Sequence, residues 1–435
     1  MAGFLTDYWI LSELNVIREQ NGSDYTLLGG NGTSFALDHD AAIAILCLNG
    51  PADISEWSQR IADHGGESNR SELGQLLRLM TENGLVETRD IELERMDYQK
   101  VIENLDRFDR GPCGLSNAVI SVTDACPYDC CYCLRKPISV GRPVDRDLMD
   151  KAINEISTLG CRLITFSGGE PELVLPDVIH FLRVAREAGI RSRALATRGY
   201  KCDKEAFVIL KENGLTDVVV SLDSSDATQD AISGLPGTFA KAMNAIESAI
   251  QVDGLRVAIN FTFFGPNFEH IKPLAQIARK LGIRMKVTPF VPRGSLARLT
   301  VAQVKAMERH MDLLSDTGYC ARSIISKEDA LPYNTPMICE AGISRAHIES
   351  DGSLSGCQFI AHHPSAVVGN IKDGFLGLWL EGDWSFYRKA APINETCARC
   401  LDRKYCVRNC LALGDAMFED AKMLSSHPCD AQLGG

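Results

Sequence analysis

Between positions 117 and 291 short apolar runs alternate with amphipathic stretches. The runs are NAVISVT, RLITFSG, SRALAT, DVVVSL, LRVAINFTFF and RMKVTPFV. Each is six to ten residues long, and each reads as a buried strand. Between them VDRDLMDKAINEISTLG, LPDVIHFLRVAREAG and FEHIKPLAQIARKLG repeat apolar residues at helical spacing. Six strands with helical crossovers predict a parallel sheet, which right-handed connections curl into an open barrel of the (β/α)6 kind. Functional side chains are then expected at the C-terminal ends of the strands.

The flanks carry other patterns. In residues 1–95, NVIREQ, DYTLLGG and TSFALD read as short strands separated by NGSD and GGNG turns. DHDAAIAILCLNG, ADISEWSQRIADHG and NRSELGQLLRLMTENGLVE then read as helices with Asp or Ser at their starts and Gly at their ends. A hairpin with three helices predicts a winged helix. A charged connector, 96–116, leads to the α/β region at 117–318. Beyond it lies a C-terminal region, 319–435, in which residues 335–435 lose regular periodicity while cysteines multiply, as where metal replaces part of a hydrophobic core.

Composition narrows the function classes. The chain has 435 residues, 45% of them hydrophobic, which is ordinary globular usage with material for more than one core. No run of eighteen apolar residues predicts a membrane span. The N-terminus lacks a basic n-region, and the expected location is the cytoplasm. A net charge of −12 argues against nucleic acid as partner. Within the winged helix, SELGQLLRLMTENGLVE carries one Arg against three Glu, a poor phosphate surface.

Sixteen cysteines are many for a chain in a reducing compartment, where thiols stay reduced, so metal is the alternative to disulfides. Cys126, Cys130 and Cys133 stand in a C-x3-C-x2-C spacing directly after the first strand. Three thiolates on one loop can converge on one inorganic cluster, whereas structural zinc is closed by four ligands. Cys131, between them, fits no ligand slot. The second strand ends in Ser167-Gly168-Gly169-Glu170-Pro171. Seven cysteines follow position 338: Cys339, Cys357, Cys397, Cys400, Cys406, Cys410 and Cys429.

The cysteine spacing, with Tyr132 before its last member, and the GGEP run together resemble the radical SAM superfamily. The resemblance implies a [4Fe–4S] cluster on Cys126, Cys130 and Cys133, whose open iron takes S-adenosylmethionine and yields a 5′-deoxyadenosyl radical. It places Tyr132, Ser167, Gly168, Gly169, Glu170 and Pro171 at that cofactor. It also brings Ser221 and Asp223, at the end of the fourth strand, to the ribose, with Thr197 as a further contact. The C-terminal field resembles the SPASM domain. That implies two auxiliary [4Fe–4S] clusters: Cys339, Cys357 and Cys410 on the first, with an open iron; Cys397, Cys400, Cys406 and Cys429 on the second. Cys320 or His347 are the alternatives for the vacant ligand of the first.

The N-terminal segment resembles the precursor-peptide recognition element. It implies a leader peptide adding as a strand along Thr33, Ser34, Phe35, Ala36, Leu37 and Asp38. The expected protein is therefore a maturase of a ribosomally made precursor peptide, supplied with electrons by a reductant such as flavodoxin or ferredoxin. Thioether or carbon–carbon crosslinking ranks first. Epimerisation, with Cys320 or Cys131 as hydrogen donor, ranks second. A formylglycine-generating sulfatase maturase ranks last, since Gln358 stands where that family has a basic Asp.

Overall fold

The computed structural model describes residues 8–11, 15–18, 25–28, 34–37, 41, 44–45, 47, 54–63, 69–82, 86–89, 115, 117–133, 140–289, 320–322, 341–342, 345–361 and 363–388. In the N-terminal part, β1 (Tyr8–Leu11) precedes β2 (Asn15–Arg18), β3 (Tyr25–Leu28) and β4 (Ser34–Leu37), which form an antiparallel sheet in the order β2-β3-β4. Helices α1 (Ile54–Asp63) and α2 (Arg70–Glu82) follow. Trp57 and Ile61 of α1 and Leu73, Leu77 and Met80 of α2 are buried, the i, i+4 and i, i+4, i+7 positions of two amphipathic helices. The third helical pattern stops earlier than its apolar periodicity suggests. α2 ends at Glu82, and Val86–Arg89 forms β5, antiparallel to β1. The Asn83-Gly84 pair is a helix-stop signal that outweighs the apolar residues after it.

All six strands expected in the α/β region are present: β6 (Asn117–Thr123), β7 (Leu163–Gly168), β8 (Ser192–Thr197), β9 (Asp217–Ser221), β10 (Arg256–Phe263) and β11 (Arg284–Pro289). They pair in sequence order and in parallel. The crossovers are α3 (Arg146–Ser157), α4 (Leu175–Glu187), α5 (Lys204–Glu212), α6 (Thr228–Ser233), α7 (Thr238–Ile250) and α8 (Ile271–Leu281). Local chemistry starts them where expected. Asp145 accepts the Leu148 N–H at 3.1 Å and Asp203 accepts the Ala206 N–H at 2.9 Å, each capping a helix N-terminus.

Residues paired across parallel strands share a face, so the register sorts the sheet into two sides. Ile120, Phe166, Leu195, Val218, Ile259 and Met285 lie on one side and are fully buried. The Phe166 ring stacks on Phe181 of α4, with centroids 6.2 Å apart, which marks this as the helix-covered side. The other side carries Ser121, Ser167, Ser221, Asn260, Thr262 and Thr288, small and polar near the strand C-termini.

Among the described residues the sheet has ten strands, not six. β12 (Cys320–Arg322) extends it beyond β11. At the other end, β13 (Arg345–Ile348) pairs in parallel with β6, and β14 (Ser353–Ser355) and β15 (Val367–Asn370) continue antiparallel. Two short helices, α9 (Phe375–Glu381) and α10 (Ser385–Arg388), close the described chain. Glu155 of α3 accepts the Leu376 N–H at 2.9 Å and so caps α9 from the barrel. Trp379, Trp384 and Phe375 form an aromatic group beneath.

Candidate active site

The cysteine loop begins where β6 ends and is held from two sides. On one side the GGEP run continues the pairing of β7 past the strand. Gly169 N–H donates to Thr123 O and Glu170 N–H to Ala125 O, both at 2.8 Å. These glycines are required by space. A Cβ on Gly168 would lie 2.2 Å from Thr123 O, and Gly168 also has φ of +127°. A Cβ on Gly169 would lie 2.0 Å from Ala125 O. On the other side, α6 receives the loop backbone: Asp129 N–H donates to Ser233 O at 2.9 Å and Cys131 N–H to Ile232 O at 3.0 Å.

Within the loop the four cysteines part company. Cys126, Cys130 and Cys133 lie within electrostatic reach of one another. Burial, the dominant influence, pushes the Cys126 thiol up to about 11 and the Cys130 thiol to about 12. Neighbouring thiols raise both further, and Arg198 opposes. The Cys131 thiol is raised by burial first and then by Asp223, and no cysteine is among its perturbing neighbours. Three thiols that sense one another, with a fourth that senses none of them, suit a cluster that takes each thiolate on its own iron. No three Cys, His, Asp or Glu side chains among the described residues converge on a single-ion site.

Two buried carboxylate networks flank this loop. Asp223 is fully buried on the loop after β9 and accepts from Thr262 N–H at 2.8 Å and from Arg198 Nη1 at 3.0 Å. Tyr132 Oη donates to Asp223 Oδ2 and accepts from Arg198 Nη2 at 2.6 Å. The Tyr132 ring rests on Phe264, with centroids 5.4 Å apart, and the Arg198 guanidinium sits 5.6 Å over the Tyr128 ring. Tyr132 and Asp223, both expected at the site, thus meet directly, and Arg198 joins them.

The second network stands on the helix-covered side. Thr197 Oγ1 lies 2.6 Å from Glu170 Oε1 and 2.7 Å from Glu172 Oε1 while accepting from Gly199 N–H at 2.9 Å. A hydroxyl has one hydrogen to donate, so it fully serves one of the two carboxyls, and a proton held by the carboxyl pair would satisfy the other contact. Burial, then the Glu172 charge, lifts the Glu170 carboxyl to about 7. Glu170 Oε2 also accepts from Arg198 N–H at 3.0 Å, and Glu172 Oε2 from Cys202 N–H at 2.7 Å. The Glu170 side chain is therefore occupied in bracing the ends of β7 and β8.

Two buried polar groups beside the loop lack hydrogen-bond partners among the described residues, Tyr128 Oη and Gln229 Nε2. Gln229 Oε1 meanwhile accepts from Asp223 N–H at 2.7 Å and Ser224 N–H at 3.1 Å. Unpaired buried groups around a gathered thiol set fit a site that a polar ligand completes.

Sequence reading passed over Arg198, Gln229, Phe264 and Asn267. Asn267 Nδ2 donates to Asp223 O at 3.0 Å. The only local signal was their position one to eight residues past a strand end. Ser167 and Ser221 lie on the polar side of the sheet, Ser167 directly opposite Ser121. Cys357 follows β14 and packs on the core. Cys320 lies on β12, at the opposite end of the strand order from β14. His347 is fully buried with both ring nitrogens facing serine hydroxyls, an arrangement that leaves neither for a metal. Ser34, Phe35, Ala36 and Leu37 form β4, at the edge of its sheet. Thr33, Asp38, Cys339, Cys397, Cys400, Cys406, Cys410 and Cys429 lie outside the described residues.

Residues 120–281, which include the cysteine loop, GGEP and Asp223, match the model of the radical SAM superfamily. This stretch is a radical SAM domain. Among relatives of this domain, an Fe-coproporphyrin III synthase of Methanosarcina barkeri is 31% identical over 192 residues, covering 43% of this chain and 46% of the synthase. The chain thus spans about half the length of that relative. A GTP 3′,8-cyclase of Clostridium botulinum is 26% identical, covering 55% of this chain and 79% of the cyclase. In fold, the chain is similar to SuiB of Streptococcus suis, with TM-score 0.66 and 16% identity over 95% of this chain and 97% of SuiB. The anSMEcpe structure follows with TM-score 0.52 and 16% identity, over 74% and 98%. The relatives matched by sequence, a synthase and a cyclase, are enzymes that align with the part of the chain holding this stretch. No helix among the described residues is long and apolar enough to cross a membrane.

Proposed function

We propose that the protein is a maturase of a ribosomally made precursor peptide, which binds a leader and crosslinks the core through a thioether or carbon–carbon bond. The observation that carries this reading is the extent of the fold likeness. SuiB, whose structure has been solved bound to its precursor peptide SuiA, is matched over 95% of this chain, flanks included. The synthase and cyclase align with 43% and 55% of it. The reading keeps residues 1–95 as the leader-binding part, with 96–116 as linker, 117–318 as barrel and 319–435 as the auxiliary-cluster domain.

In this reading Cys126, Cys130 and Cys133 hold a [4Fe–4S] cluster, and the seven C-terminal cysteines hold two more. S-adenosylmethionine, when bound, supplies a radical that abstracts hydrogen from the peptide. The chain's own part is positional. Gly168 and Gly169 let the backbone approach the loop, Asp223 and Tyr132 fix the polar wall, and α6 keeps the loop from opening. An external one-electron donor, flavodoxin or ferredoxin in class, completes the turnover. The leader would pair with β4, the edge strand among the described residues, through main-chain hydrogen bonds.

Co-expression with the small open reading frames beside the gene, followed by mass spectrometry, tests the reaction. A peptide lighter by two hydrogens supports crosslinking. Unchanged mass with solvent deuterium uptake identifies an epimerase instead, and an unmodified peptide overturns the proposal. Replacing Cys126, Cys130 and Cys133 together with Ala is expected to abolish 5′-deoxyadenosine formation, whereas Cys131→Ala should keep it within about twofold.

A further inference from the structure

Away from the cysteine loop, one titratable side chain is sealed into the sheet where β6 meets β13. His347 is fully buried, with Nε2 3.0 Å from Ser121 Oγ and Nδ1 3.2 Å from Ser355 Oγ. Glu349 Oε1 stands 3.9 Å from Nδ1. The register places His347 opposite Val119 on β6 and opposite Ser355 on β14, so its side chain belongs to the polar side of the sheet. Ser121 lies in turn opposite Ser167 on β7. A row of polar residues, Ser355, His347, Ser121 and Ser167, therefore crosses four neighbouring strands. Each hydroxyl can donate or accept, so a ring with one N–H satisfies both contacts.

The ends of this row matter. Ser121 stands on the strand that runs directly into Cys126, Ser167 precedes the GGEP glycines, and Ser355 is two residues before Cys357. The backbone ladder is thin here. β13 and β14 share two registered pairs, and the β14–β15 register shifts between Leu354 and Ser355. Beyond it, Gly356 N–H donates to Tyr387 Oη at 2.7 Å. The side-chain row pins the sheet at the point where main-chain pairing is irregular.

We infer that His347 is a positioning residue that fastens the turn bearing Cys357 to the strand bearing the cysteine loop, so that the two cysteine sites keep a fixed separation. The consequence for an auxiliary cluster rests on the proposed role of Cys357 as its ligand, while the mechanical coupling does not.

Hydrogen exchange on the full-length protein tests the coupling without any cluster. His347→Phe keeps the volume and removes both bonds. Protection of residues 345–357 is expected to fall about tenfold, with a smaller fall at 117–123, and His347→Gln, which can donate and accept, should recover most of it. Wild-type exchange in His347→Phe overturns the inference. If that variant does not fold, Ser121→Ala and Ser355→Ala, singly and with His347→Gln, replace it. Non-additive protection losses support the row, and strictly additive ones overturn it. In parallel, iron content and the low-temperature EPR spectrum are measured with Cys126, Cys130 and Cys133 replaced by Ala. An altered auxiliary signal in His347→Phe is the expected result. Lost protection together with iron unchanged by Cys357→Ala would uphold the coupling and overturn the ligand role of Cys357.

Discussion

Asp223 and Glu170 are both fully enclosed carboxylates at the ends of barrel strands, yet their surroundings are opposite. Asp223 faces a guanidinium, a phenol and a backbone N–H. Glu170 faces a second carboxylate across a shared threonine hydroxyl, and its contact with Arg198 is through the backbone N–H. One residue, Arg198, thus gives its side chain to one network and its main chain to the other. The first network gathers donors around its carboxylate; the second sets one carboxylate against another, and burial with that neighbour raises the Glu170 carboxyl to about 7. Both carboxylates are buried, so the difference between the two networks lies in the partners and not in the burial.

Removing the cation should break this contrast most severely. Arg198→Met leaves Asp223 buried without its counter-charge, and a loss of ~3–5 kcal/mol in chemical denaturation is expected, restored in large part by adding Asp223→Asn. Equal losses in the single and double variants would show that Asp223 does not depend on Arg198.

The proton-holding network should respond to pH in the opposite sense from an ordinary ion pair. The Glu170 carboxyl is raised from 4.5 to about 7 in the folded chain. Its stabilising contribution is therefore complete below about 4.5 and is lost as pH rises through about 7, on the order of 3 kcal/mol across that window. Glu170→Gln, a neutral donor and acceptor, should flatten this part of the stability curve. An unchanged slope between pH 4.5 and 7 in the Gln variant would place the proton elsewhere.

Thr197→Val gives the smallest of the three effects. It removes the bridging hydroxyl and leaves Gly199 N–H without its acceptor, for ~1–2 kcal/mol, and Thr197→Ser should restore it.

The six barrel strands were legible because each is an apolar run framed by helices of clear period, and GGEP and the cysteine spacing are written in consecutive residues. What was not legible depends on chain segments far apart. Nothing in RAHI at 345–348 announces a parallel partner for β6. Arg198 reads as an ordinary residue after Thr197 until the fold brings Tyr132 and Asp223 to it. β5 was masked by apolar residues that continue the period of α2 past its stop. Gln229 and Asn267 are polar side chains whose work is to satisfy the backbone around Asp223, a task that exists only after folding.

The attachment of β13 to β6 has a consequence for how the chain is made. Until residues 345–348 emerge from the ribosome, the strand that leads into the cysteine loop has a bare edge of unpaired amides and carbonyls. The barrel can assemble from β6 through β11 before that. During this interval the loop is flanked by a bare strand edge on a nascent protein, and the pairing of β13 with β6 then covers that edge.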